Sequence, residues 1–423
     1  MTLSRLRRQI YVRLSRLRTH HVVLVAVVLR AIWFVLCPNQ PVSDQATYHA
    51  AASQLAQGRG YIELDGTPAN LWPVGYPALL GATYWMFGAH YPIGYLLNIA
   101  LLLLLVLGTQ QLGSALFNRE VGLFAALLVA LHPTLVLHTT MLTSETPFMV
   151  GTLWLLALLV RMARAEVKLT WAVPLAGVSL GVLTYVRPTG QIFVLALPVL
   201  GLLWRRVRLA PLALASVGVV VLALLVLLPW GLRNQQLFGV FSLTSNNGGE
   251  NIWMGNNPNS HGEYMELPAD ALALPLVERE RLLGSRGMAF IRQNPGHYVA
   301  LCVQRVAYTL RSDTIAAVWN GVGITQRFGA RGVLFFKIVC SMAHWILLTL
   351  VGYALFTRKQ WGASDAALAF VVLLLAAPFV LIVGGNRYMV PIVPLLCIFA
   401  ASGMWPRVAA ASHTPKGQPG RTA

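Results

Sequence analysis

The sequence predicts an all-α polytopic membrane protein of about ten transmembrane helices, with interfacial helices in the first external loop. Three observations carry this. Of 423 residues, 57% are apolar and 11% charged, with a mean hydropathy of +0.64, whereas soluble domains run about 45–50% apolar and about 25% charged. Apolar runs recur at lengths that cross roughly 30 Å of hydrocarbon at about 1.5 Å per residue. Basic residues gather at the ends of alternate runs, which is the positive-inside pattern. Disorder, a collagen-like chain, a disulfide scaffold and a water-soluble enzyme are excluded. The net charge of +18 reports topology rather than a phosphate-binding surface, so no nucleic-acid partner is expected.

The chain opens on a basic segment, 1–20, carrying Arg5, Arg7, Arg8, Arg13, Arg16 and Arg18. The run from His21 to Cys37 ends in Pro38-Asn39-Gln40-Pro41 without a small-residue cleavage site, so it reads as a retained first helix. Further spans fall at about 92–114, 119–138, 144–162, 169–186, 188–204, 209–230, 332–356, 366–384 and 388–405. With a cytoplasmic N-terminus, alternation puts eighteen basic residues inside against Glu120, Glu166 and Asp365. Eleven of the 14 acids then fall outside, although none entered the topology argument. The transmembrane domain is thus 21–405, with external loops 38–91 and 231–331 and a cytoplasmic tail 406–423 whose polar end, from Ser412, is expected to be disordered.

The first loop reads as a helix from Asp44 to Gln57, stopped by Gly58-Arg59-Gly60, then a turn-rich piece. Pro73 to Ala89 is apolar but short, and counting it as a span would put the later basic clusters outside. It is placed along the outer interface, with Trp72, Tyr76, Tyr84 and Trp85 as amphipathic aromatics. The second loop predicts helices at 276–293 and 295–311; Leu276, Leu283 and Phe290 recur at heptad spacing, which suggests a helix on the membrane surface. No internal repeat is present.

Asp44, just beyond the first helix, suits two roles: a helix N-cap, or a general base at the membrane surface. Glu145, at the start of a membrane helix, either complements the helix dipole or serves a site facing the same side as Asp44. Arg187 and Arg387 stand at outer helix ends. Snorkelling explains many boundary arginines, but these two, joined by Arg233, also suit a bidentate cradle for a phosphate or pyrophosphate arriving from the bilayer. Arg30, inside the first helix, is expected to face the bundle interior. The Gly/Asn-rich stretch Ser245 to Gly262, with Glu250 and Asn251, reads equally as a turn-forming linker or a carbohydrate or phosphate site; composition does not decide. Cys37, Cys302, Cys340 and Cys397 lack ligand spacing and read as packing residues, although Cys37 and Cys302 share one side. His132 and His138, six apart, do not match a helical metal pair and read as polar interface residues. Walker, dinucleotide, HExxH and GxSxG motifs are absent.

The order of LWPVGYPALL, HPTLVLHTTMLTSETPF, VRPTG, PWGLRNQQLFG, NNGGENIWMGNNP and NRYMVPIVP after an external Asp44 resembles GT-C-type integral membrane glycosyltransferases, in the group related to protein O-mannosyltransferases and bacterial aminoarabinose transferases. The resemblance runs from about Ala26 to Trp405. It implies inverting transfer of one sugar from a polyprenyl-phosphate-linked donor to a hydroxyl of a lipid, glycan or protein, on the external face of a bacterial plasma membrane. On that pattern Asp44 takes the acceptor proton and Arg387 stabilises the departing phosphate. Arg187 and Arg233 assist at the phosphate, and Glu145, Asn234, Glu250, Asn251 and Tyr388 line the cavity. Many relatives carry a second acid directly after the first, whereas here Gln45 follows Asp44; this argues against a catalytic metal, and no cofactor is expected. The competing readings are a transporter or flippase of lipid-linked sugars, and a polysaccharide polymerase or ligase. Against transport stands the lack of repeated halves and of a midplane acid.

Overall fold

The computed structural model describes residues 17–63 and 65–404. Most of the basic N-terminal segment and the polar tail, both subjects of expectations above, lie outside the described residues. Those described are helical, with one isolated bridge between Ile62 and Pro68. The first helices are α1 (Thr19–Leu36), α2 (Asp44–Ala56), α3 (Gly75–Phe87), α4 (Tyr91–Leu116), α5 (Arg119–Leu131) and α6 (Pro133–Leu137). There follow α7 (Glu145–Ala163), α8 (Leu169–Val186), α9 (Ala196–Trp204) and α10 (Leu209–Phe238). The second long loop holds α11 (Gly248–Gly255), α12 (Ala269–Leu272), α13 (Leu276–Gln293), α14 (Pro295–Arg311), α15 (Ile315–Trp319) and α16 (Gly321–Phe328). The chain closes with α17 (Ala330–Phe356), α18 (Ala363–Leu381) and α19 (Val393–Met404).

Among the described residues eight helical runs are long and apolar enough to cross a membrane: α1, α4, α7, α8, α10, α17, α18 and Asn386–Met404. Two of the ten expected spans are built differently. The run 119–138 bends by 61° between α5 and the Pro133–Thr140 piece, because Pro133 cannot donate and its ring obstructs the preceding turn. The run 188–204 starts as a 3-10 turn, Pro188–Leu195, and continues as the short α9.

The helix at 44–57 forms as expected, but the next piece does more than lie at an interface. Tyr76 and Tyr84, eight residues apart on one face of α3, are buried against Tyr48 of α2 and Tyr95 of α4, leaving Trp85, Met86 and Phe87 exposed. The heptad face of α13 is likewise turned inward. Leu283, Gly287 and Phe290 are buried, and α13 packs on α11, where a Cβ at Gly249 would overlap the Glu280 backbone. Only glycine permits that approach, so this face meets protein rather than lipid headgroups.

The core gathers α4, α5, α7, α8, α9 and α18 around α19, whose residues from Val393 to Ser402 are all buried. A helix enclosed in this way carries its leading turn, Asn386–Ile392, into the middle of one end of the bundle. Arg30 is buried, donating from Nη1 to the carbonyls of Ala26 and Ala130 at 3.2 Å. All four cysteines are free thiols, Cys37, Cys340 and Cys397 buried.

Candidate active site

Four charged side chains from four separate helix ends meet where α19 begins. Asp44 opens α2, and the loop before it is pinned by Asn39, whose Nδ2 donates to Thr140 O at 3.1 Å and to Trp319 O at 2.9 Å. Glu145 opens α7. Arg187 follows α8, held extended at φ −148° and ψ 129° because Pro188 disfavours helix in the residue before it. Arg387 lies in the 3-10 turn leading into α19, behind Gly385 at φ +144°, a conformation open to glycine alone. That turn is fixed on both sides, by Gly384 N donating to Gly262 O at 2.8 Å and Asn386 Nδ2 donating to Thr314 Oγ1 at 2.9 Å.

Arg387 bridges the two carboxylates. Its Nη1 donates to Asp44 Oδ2 at 2.9 Å, and its Nη2 to Glu145 Oε1 at 3.0 Å. The same Glu145 oxygen pairs with Arg187 Nη1 at 2.7 Å, and Arg187 also donates to Ser144 Oγ at 3.1 Å. The Arg387 guanidinium sits over the Trp319 ring at 4.9 Å, a cation–π seat that fixes the plane of its donors. Glu145 Oε2 is buried and has no hydrogen-bond partner among the described residues. Tyr48, one turn beyond Asp44, donates to Ser144 Oγ at 3.3 Å. Burial, with the charges of Asp44 and Glu145 adding to it, pushes the Tyr48 hydroxyl up to about 12, so it stays protonated as a donor at neutral pH.

The structure therefore brings together Asp44, Glu145, Arg187 and Arg387. Tyr388 stands beside them, its ring stacked on Phe379 at 4.5 Å. Arg233 has other partners: it donates to the carbonyls of Ala69 and Tyr61 at 3.3 and 3.1 Å and lies over Trp230 at 4.4 Å. Asn234 donates to the carbonyls of Ser242 and Thr244 at 2.7 and 3.0 Å. Arg233 fastens the end of α10 to the first long loop, and Asn234 holds the start of the second. Glu250 pairs with Arg279 at 2.7 Å, which joins α11 to α13, and Asn251 donates to Asn247 O at 2.7 Å within α11's own first turn. His132 and His138 are buried, His138 Nδ1 lying 2.8 Å from Thr134 O, so they sit inside the bend rather than at an interface.

Sequence reasoning missed Ser144, Tyr48 and Trp319. Tyr48 carried a usable signal, since position i+4 shares a helix face with Asp44. Trp319 carried none, because only the fold brings α15 beneath Arg387.

The residue directly after Asp44 bears on whether a metal fits here. Gln45 is buried, and its Oε1 accepts from Leu142 N at 3.0 Å, facing away from Asp44. Both site carboxylates are engaged by arginines, and among the described residues no three His, Cys, Asp or Glu side chains converge. These residues do not make a divalent-ion site, and no step is routed through one.

Sequence comparison finds no matching family model and no matching curated protein. Solved structures do match. The Archaeoglobus fulgidus oligosaccharyltransferase in complex with zinc and sulfate superposes with a TM-score of 0.53 at 14% identity, over 90% of this chain and 48% of that one. Its apo form gives 0.53 at 14% identity, over 91% and 50%. The ArnT of Cupriavidus metallidurans bound to undecaprenyl phosphate gives 0.46 at 15% identity, over 92% and 76%. The chain spans about half the length of the oligosaccharyltransferase it matches. Its fold is that of the GT-C membrane glycosyltransferases.

Proposed function

We propose that the protein transfers a single sugar, with inversion, from a polyprenyl-phosphate-linked donor to a hydroxyl of a lipid, glycan or protein acceptor on the external face of the membrane. The observation that carries this is Arg387 held between the carboxylates of Asp44 and Glu145 at the mouth of an enclosed helix. A carboxylate and a guanidinium in contact are the base and the phosphate-binding group that such a displacement requires. The acceptor oxygen bonds to the anomeric carbon while the bond from that carbon to the phosphate oxygen breaks, its electron pair leaving with the phosphate. The acceptor's proton goes to Asp44. Charge developing on the leaving phosphate is met by Arg387 and Arg187, the preorganised electrostatic contribution that dominates many such reactions. Glu145 holds both arginines in register.

The test offers the purified protein in lipid a panel of radiolabelled polyprenyl-phosphate sugars, with a membrane extract as acceptor source. Release and transfer of label by the wild type but not by Asp44→Asn, at equal abundance, is the expected result. Full activity in Asp44→Asn removes the base, and movement of an intact lipid-linked sugar across the bilayer replaces catalysis with transport.

A further inference from the structure

The two carboxylates on Arg387 are not equivalent. Glu145 is shared with a second cation, Arg187, at 2.7 Å, so it stays neutralised whatever Arg387 does. Asp44 pairs with no cation among the described residues except Arg387. The donors divide accordingly: Nη2 and Nε serve Glu145 at 3.0 and 3.3 Å, and Nη1 alone serves Asp44. Exposure follows the same division. The Glu145 side chain is 4% exposed, Asp44 13% and Arg387 25%, so Asp44 is the more accessible of the two carboxylates.

The backbone on the Asp44 side is under tension as well. Ser43, directly before it, has φ +53°, a left-handed conformation that a serine adopts at a cost. Asp44 is therefore held by one replaceable ion pair and a 3.5 Å hydrogen bond from Ser43 Oγ at the end of a strained link, while Arg387 keeps its place through Glu145 and Trp319 when that pair opens.

We infer that the Asp44–Arg387 ion pair is a latch opened by the donor itself: the carrier phosphate takes Nη1, and the displaced Asp44 carboxylate becomes free to accept the acceptor's proton. This rests on the function proposed above and adds an order of events to it. With the latch closed, Asp44 Oδ2 is engaged by a guanidinium N–H and the carboxylate is held against Arg387 rather than against an acceptor hydroxyl. The phosphate that supplies the leaving group thus also releases the base, and the acceptor hydroxyl meets a competent base only after the donor has bound.

The test is binding of undecaprenyl phosphate to the full chain in lipid nanodiscs, for wild type, Asp44→Asn, Asp44→Glu, Arg387→Gln and the double variant Asp44→Asn/Arg387→Gln. The latch competes with the phosphate, so Asp44→Asn tightens binding about two- to fivefold, the range of a partly exposed ion pair, and Asp44→Glu stays near wild type. In the Arg387→Gln background the same asparagine leaves affinity about unchanged. Tightening of equal size in both backgrounds reports charge removal at a distance and overturns the latch; unchanged or weaker binding by Asp44→Asn overturns it too. Asp44→Ser, with monodispersity by gel filtration, replaces Asp44→Asn if that variant does not fold. Absence of saturable binding in every variant removes the proposed function itself, a result distinct from either of these.

Discussion

Arg305 of α14 donates from Nη1 to the carbonyl oxygen of Val380, 2.9 Å away, so the second long loop is fastened to the last turn of α18, seven residues before Arg387. Its other donors reach Gly255 O and Asn256 Oδ1, and the side chain is fully buried. One guanidinium thus ties α11, α14 and α18 into the scaffold behind the turn that carries Arg387.

Arg305→Leu leaves three buried acceptors unpaired. Hydrogen bonds to a charged group contribute about 1.5–3 kcal/mol each, so a loss on the order of 3 kcal/mol or more is expected. It is measured as a lower thermal midpoint in detergent, and a midpoint within a degree of wild type refutes it.

Glu145→Gln is expected to destabilise the fold more than Asp44→Asn does. It removes the only carboxylate among the described residues that Arg187 and Arg387 share, and breaking a buried pair by deleting one partner costs about 3–5 kcal/mol. Asp44 is the more exposed partner and has a single ion pair. Thermal unfolding of the two variants side by side gives the order.

Gly385→Ala keeps every polar group of the site but forbids φ +144°. The strain, about 1–3 kcal/mol, is relieved by moving the turn that carries Arg387. Sugar transfer should fall at least about tenfold, the cost of a displacement on the order of 1 Å, while the protein stays folded. Unimpaired transfer refutes the role given to this turn.

Stability should depend on pH through Asp313, between α14 and α15. Burial raises its carboxyl from the ordinary 3.8 to about 7, although Thr134 donates to it, and its Oδ1 has no partner among the described residues. A carboxyl whose folded value lies above its unfolded one stabilises fully below the unfolded value and loses that contribution as pH rises through the folded one. Relative to Asp313→Asn, the wild type should therefore lose thermal stability between about pH 4 and pH 7. Parallel midpoint curves for the two proteins exclude this account.

Much of the fold was legible because it follows from lengths and periods. Asp44–Ala56, Leu276–Gln293 and Pro295–Arg311 announced themselves by a leading acid or proline and by apolar spacing. The bend at Pro133 was less legible, since a proline can start, kink or end a helix and composition does not say which. For the site, Asp44, Glu145, Arg187 and Arg387 could be picked out as charges at apolar boundaries. Arg233 met the same criterion, but its partners are the Ala69 and Tyr61 carbonyls. Boundary position reports that a charge needs a partner, whereas the partner's identity is a three-dimensional fact. The inward faces of α3 and α13 were missed for a related reason: an amphipathic pattern gives the apolar side and leaves open whether protein or lipid covers it.

The four charges of the cluster, Arg387 included, sum to zero, and this governs what the mouth of the site attracts. Balanced charges a few ångströms apart produce a field that dies within a short distance, well inside the screening length of about 8 Å at physiological salt. Ordinary anionic phospholipids, which crowd any carrier in a bilayer, are not drawn in from afar. A headgroup must come into contact and exchange with a carboxylate before it gains anything. Neutrality thus leaves anionic headgroups without a long-range pull toward this cluster.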